Sequence, residues 1–184
     1  MADLPGWVSG ARAQWRWRGA TRPAFADDPA PRQESVWDYP RPPALVPDVR
    51  EVAARWQGRL VAHTRRAIRV LETAHPPCFY LPWSDVDRDL LAQAPGTSFC
   101  EWKGAACYWS LVHAGRRLER VAWSYPEPLA GAEALAGRVA FYATELDCLV
   151  GGQAMTPQPG GLYGGWITPD LAGPFKGGPG AGDW

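Results

Sequence analysis

One residue in five of this chain is glycine or proline, 20 and 19 of 184, and that alone rules out an architecture of long helices. Proline inside a helix removes a backbone hydrogen bond and glycine raises the conformational entropy lost on ordering, so strands, tight turns and extended segments remain. Hydrophobic residues at 46%, with 11 tryptophans, supply apolar mass for one core in a chain of this length, and two full domains are not expected. Lys+Arg and Asp+Glu both number 19, so no net charge draws the protein to nucleic acid or to an anionic membrane. No apolar run approaches the roughly 18 residues of a spanning helix, and no basic, apolar, small-residue leader opens the chain. The reading is a cytoplasmic protein with neither nucleic acid nor membrane as a partner. Only Lys103 and Lys176 are lysines and asparagine is absent, the composition of a GC-rich bacterial genome. Four cysteines without a C-x-x-C pair, and histidines only at 63, 75 and 113 without HxH or HExxH spacing, predict neither a metal nor a cofactor.

Four regions are expected. Residues 1–33 mix Trp, Arg, Pro and Ala with no period of 2 or 3.6 and form an arm. Its Trp15-Arg16-Trp17-Arg18 alternates cation and aromatic, suited to packing on the domain itself or on a partner subunit. Residues 34–48 carry four prolines and form a strap laid across a surface, anchored by Trp37 and Tyr39. Residues 49–150 form the core domain. Within it Gln57-Gly58 closes a hairpin between 49–56 and 59–63, Ala67 to Thr73 and Cys78 to Leu81 are extended, and Ser84 caps a short helix over 85–92. Phe99 to Trp102, Ala105 to His113 and Arg117 to Trp123 make a three-stranded meander, one helical turn lies at 132–136, and 139–142 pairs with 146–150. Residues 151–184 hold eleven glycines and five prolines, excluding regular structure, yet Tyr163, Trp166, Ile167, Phe175 and Trp184 predict a tail that wraps the core.

The hairpin FCEWKGAACYW bears most on chemistry. A two-residue turn at Lys103-Gly104 would set Cys100 directly against Cys107, with both thiols reduced. Lys103 would also lie close enough to lower the pKa of Cys100 if that thiol were reactive. Glu72 ends an apolar strand just before the rigid bend Thr73-Ala74-His75-Pro76-Pro77, which suits an acid/base, a ligand anchor or a brace for the bend; His75 reads as a loop residue. Alternation along the meander sends Tyr108 and Trp109 to opposite faces. One face is core, and the other can wall an aromatic pocket.

The segments RVLETAHPPCFYLPWSDV, SFCEWKGAACYWSL, VAWSYPEPL and VAFY resemble the bacterial domain-of-unknown-function family number 427, which is also filed as nucleotidyltransferase-like. The strap ESVWDYPRPP and the tail GGWITPDLAGPFKGGPG are similar to a longer subgroup, carrying the resemblance over about 34–184. It implies a mainly β fold of the β-tent kind, with small antiparallel sheets, one or two short helices and long extended termini. Glu72, Tyr80, Cys100, Lys103, Tyr108, Trp123 and Tyr125 occupy the family's motif positions. The nucleotidyltransferase label implies Gly-Ser followed by D-x-D on a strand, and this sequence lacks that pattern.

The resulting expectation is a small-molecule pocket walled by Tyr80, Tyr108, Trp123 and Tyr125. An enzyme version has Glu72 as base, Lys103 stabilising an oxyanion and Cys100 beside them, acting next to a carbonyl as an isomerase, lyase or hydrolase. Two alternatives stand beside it: an interaction module that forms a homo-oligomer through strap and tail, and a nucleotidyltransferase.

Overall fold

The computed structural model describes residues 4–182 and 184. The fold is mainly β, in antiparallel sheets, as expected. In chain order the elements are helix α1 (Val8–Gln14) and strands β1 (Glu34–Ser35), β2 (Ala44–Asp48), β3 (Val52–Trp56), β4 (Arg59–Thr64), β5 (Ala67–Leu71), β6 (Cys78–Pro82), β7 (Leu91–Cys100), β8 (Gly104–His113) and β9 (Arg116–Ser124). There follow β10 (Arg138–Phe141), β11 (Asp147–Val150), β12 (Gln153–Ala154), β13 (Thr156–Pro157), β14 (Trp166–Ile167) and β15 (Leu171–Ala172).

A seven-stranded sheet in the order β2-β5-β6-β10-β9-β8-β7 lies against a four-stranded sheet, β12-β11-β3-β4. Period-2 alternation sorts the side chains between two cores. Phe79, Leu81, Val121, Val139 and Phe141 join Val52, Ala54, Val61 and Val150 in the larger core, while Ile68, Val70, Tyr80, Ala106, Trp123 and Ala140 form a second one. The second core floors the candidate site.

The hairpin at 57–58 forms as expected: Gln57 and Gly58 take φ of 52° and 78° between β3 and β4, the left-handed pair of a two-residue turn. The meander also forms, from β7, β8 and β9, but its first strand is Leu91–Cys100, and Glu101 and Trp102, expected to end that strand, lie in the turn.

Five expectations are corrected. The helix over 85–92 is replaced by single 3-10 turns at Trp83–Asp85 and Arg88–Leu90, after which β7 begins at Leu91. Asp85 is taken by Thr64 Oγ1 at 2.5 Å and Arg66 Nη2 at 2.5 Å, and the Asp87 amide donates to Val61 O at 2.8 Å. Tertiary bonds to β4 thus hold the groups that would have capped a helix. Second, 139–142 and 146–150 do not pair with each other: β10 inserts between β6 and β9, and β11 adds to β3. Third, the strap does not only lie across a surface: its last five residues are strand β2, paired along its whole length with β5.

Fourth, the arm contains α1, seated by Val8, which is 1% exposed, and by the Arg12 Nε donating to Glu101 O at 2.8 Å. Fifth, the tail forms the short pairs β13–β14 and, in parallel, β1–β15. Trp37 and Trp166 have no exposed surface, and their indole N–H groups donate to Pro174 O at 3.1 Å and Phe141 O at 2.8 Å. Strap and tail therefore spend their largest apolar groups within the chain.

Candidate functional site

The cavity is built on the second-core face of the large sheet. Along β5 the side chains of Ile68 and Val70 point to this face, and two residues further Glu72 continues the row as the strand ends. Ala74, at φ 69°, then turns the chain so that His75 and Pro76 close one side. Cys78 and Tyr80 come from β6, Ser98 to Cys100 from β7, Ala106 and Tyr108 from β8, Trp123 from β9, and Tyr125 and Tyr142 from the segments that follow β9 and β10. The cavity volume is about 310 Å³, enough for a small organic molecule.

All seven residues singled out in the sequence, Glu72, Tyr80, Cys100, Lys103, Tyr108, Trp123 and Tyr125, line this one cavity. Trp15 from the arm and Leu162-Tyr163-Gly164 from the tail complete its wall. Tyr80 accepts from Trp123 Nε1 at 2.8 Å, and Trp123 packs on Tyr142 with ring centroids 4.5 Å apart. Burial raises the pKa of Tyr80 and Tyr125 and pushes Tyr142 up to about 12, so all three phenols are protonated at neutral pH.

At the polar end Glu72 holds two cations. Its Oε2 accepts from Lys103 Nζ at 3.3 Å and its Oε1 from Arg41 Nε at 3.2 Å. Burial alone would raise the Glu72 pKa, but Lys103, His75 and Arg41 outweigh it and hold the carboxyl down at about 2. Burial likewise opposes the charge on Lys103, and the Glu72 carboxylate reverses the balance, leaving its pKa well above the ordinary value. Arg41 has a fully buried side chain. Its Nη1 and Nη2 donate to Trp17 O at 3.1 Å and Thr73 O at 2.9 Å, and Trp15 stacks 3.8 Å from its guanidinium. Burial lowers the pKa of Arg41, though a guanidinium stays charged at any neutral pH.

The expected opposition of Cys100 and Cys107 does not occur. The β7–β8 turn has three residues, Glu101-Trp102-Lys103, so Cys100 faces Gly104 and Cys107 faces Thr97. Gly104 takes φ 102° with Leu129 Cγ only 3.3 Å from where its Cβ would stand, so it closes the longer turn as a strand-starting glycine. This register carries Lys103 inward to Glu72. Cys100 donates instead to Glu101 Oε2 at 3.8 Å, and all four cysteines are free. Burial pushes Cys78 up to about 12. Among the described residues no group of three or more His, Cys, Asp or Glu is placed to hold a metal ion, and no helix is long and apolar enough to cross a membrane.

Sequence reasoning missed Arg41 and His75. Arg41 sits among the strap prolines, where no local pattern points it at Glu72, 31 residues on. His75 was read as a loop residue, yet it is 7% exposed and its Nδ1 lies 2.9 Å from Gln158 Nε2. The signal was local: two prolines after it fix its position at the strand end.

The match with known families covers the cavity's floor but not its whole wall. No curated protein matches the chain. The family model described as "Domain of unknown function (DUF427)" matches residues 44–152, a narrower span than the resemblance in the sequence implies. Arg41, Trp15 and Leu162 to Gly164 fall outside it. With more than half of its 184 residues matched, the chain belongs to the DUF427 family.

Proposed function

We propose that this protein binds a small, flat organic molecule carrying a carbonyl group in the cavity between Tyr108, Trp123 and Tyr125. The observation that carries this reading is the convergence of aromatic walls and a few polar groups on one cavity of about 310 Å³, the usual form of a small-molecule site. Glu72 serves it as the counter-charge that fixes Lys103 at the polar end. The version with Glu72 as a general base loses support, because a carboxylate held at about 2 is too weakly basic to take a proton near neutral pH. The interaction-module reading loses its main surfaces, since Trp37 and Trp166 are fully buried within the chain.

Fragment screening by NMR on the whole chain tests the proposal. Flat ring carbonyl compounds should bind with Kd of about 1 mM or tighter, competing for one site and shifting the indole N–H of Trp123. Tyr108→Ala should weaken them by about tenfold with little loss of stability, because Tyr108 is a half-buried wall residue. Binding that is unchanged in Tyr108→Ala, or no binding across the set, would overturn the proposal.

A further inference from the structure

We propose that His75 reads the ligand: its Nε2–H, fixed in that tautomer by Gln158, donates to the carbonyl oxygen of the bound molecule. The inference rests on the small-molecule reading above and adds the residue that selects the ligand and the kind of atom it selects.

The tautomer follows from hydrogen-bond bookkeeping. Gln158 Oε1 accepts from the Gly165 amide at 3.1 Å, which orients the side-chain amide. Its Nε2 then faces Lys176 O at 2.8 Å and His75 Nδ1 at 2.9 Å. An amide nitrogen carries two hydrogens, and these two acceptors use both. Nδ1 of His75 is therefore an acceptor, and the proton of the neutral ring sits on Nε2. Burial, working against the pull of Glu72, lowers the His75 pKa to about 4, so the ring is neutral at physiological pH.

That Nε2–H is buried and has no hydrogen-bond partner among the described residues. Buried donors are nearly always paired, and one left unpaired at the wall of a cavity marks a place where a ligand atom completes the bond. Tyr163 packs against the imidazole at 4.6 Å, edge to face. It belongs to the run Gly160-Gly161-Leu162-Tyr163-Gly164-Gly165, whose Leu162 is 72% exposed. Gly160 and Gly164 hold the run closely against Gly177 and Trp123, so Tyr163 yields to an entering ligand by rotating its own side chain.

Charge sets the class of acceptor. Glu72 and Glu101 in the wall face Lys103 in the wall and Arg41 behind it, and Lys176, which also acts on His75, is held by the backbone oxygens of Ala181 and Trp184. A charged ligand would add an unpaired charge to this largely buried set, whereas a neutral carbonyl adds none. A neutral imidazole N–H is a donor suited to such an oxygen.

The test uses 1-indanone and indane, which share a flat body and differ in the carbonyl. Titrated into the whole chain, 1-indanone should bind roughly tenfold more tightly than indane, the effect of one neutral hydrogen bond. It should move the His75 Nε2–H resonance downfield in long-range 1H–15N spectra, with Nδ1 remaining unprotonated. Indane should shift the Trp123 indole N–H and leave the His75 proton in place. In His75→Phe the preference should fall to near unity.

Equal affinities in the wild type, or a preference that survives in His75→Phe, would overturn the assignment of His75 while leaving the cavity reading standing. If neither compound moves Trp123, the cavity reading itself fails. Should His75→Phe not fold, the wild-type spectra decide: an unmoved Nε2–H at saturating 1-indanone overturns the proposal.

Discussion

Glu72→Gln should unfold roughly 10 °C below the wild type, reflecting a loss on the order of 3 kcal/mol. Gln preserves shape, so the loss comes from charge. The carboxylate, 13% exposed, is the shared partner of Arg41 and Lys103. Without it two cations face each other across a buried space, with only the more distant Glu101 to offset them. The pairing with the fully buried Arg41 is what makes this charge matter to the fold. Lys103→Met should cost less, because it leaves Glu72 and Arg41 as a one-to-one pair. Thermal melts of the two variants side by side check the order, and Lys103→Met melting below Glu72→Gln would contradict it.

The same groups set the acid limb of stability. Glu72 has a folded pKa of about 2, below its ordinary 4.5, so the stability it supplies is complete above about 4.5 and is lost as pH falls toward 2. His75 titrates near 4 in the folded chain against 6.5 ordinarily. Below pH 6.5 the unfolded chain takes up this proton first, so stability declines from 6.5 down to about 4. The melting temperature should therefore fall in two overlapping stages on acidification; Glu72→Gln should flatten the lower one and, because the pull of Glu72 on His75 is lost, deepen the upper one.

Gly164→Ala is the second large effect. A Cβ at this position would stand 2.1 Å from Cη2 and 2.5 Å from Cζ3 of Trp123. That ring cannot yield, being 6% exposed, bonded to Tyr80 at 2.8 Å and packed on Tyr142. The tail must lift instead, opening the wall made by Tyr163. Overpacking of this kind costs about 1–3 kcal/mol, a drop of roughly 3–10 °C, and ligand binding should be lost with it. Gly182→Ala is the control, since nothing lies within 4 Å of its Cβ. Limited proteolysis should cut the tail faster in Gly164→Ala only; equal cutting rates would show that the tail does not depend on this contact.

The floor of the site was legible in the sequence wherever local patterning decides structure. Alternation through Ile68, Val70 and Glu72 and the bend at Thr73 to Pro77 place Glu72, and the meander places Tyr108 and Trp123. The Leu91 segment was not legible because helix-capping residues there bond to β4 instead. The three-residue turn was hidden because Lys103-Gly104 fits a two-residue turn as well, and only the packing of Leu129 on Gly104 separates them. Arg41 and Gln158 reach the site across 31 and 83 residues, to Glu72 and His75, and no local pattern carries such partnerships.

The central claim, that the cavity takes a flat carbonyl compound, is tested most directly by a crystal structure of the protein soaked with 1-indanone. Density for the ligand is expected between Tyr108 and Trp123, with its oxygen within hydrogen-bond reach of His75 Nε2 and Tyr163 displaced. A fully soaked crystal with the ligand bound elsewhere, and with Tyr163 still packed on His75 over a cavity holding only water, would contradict it.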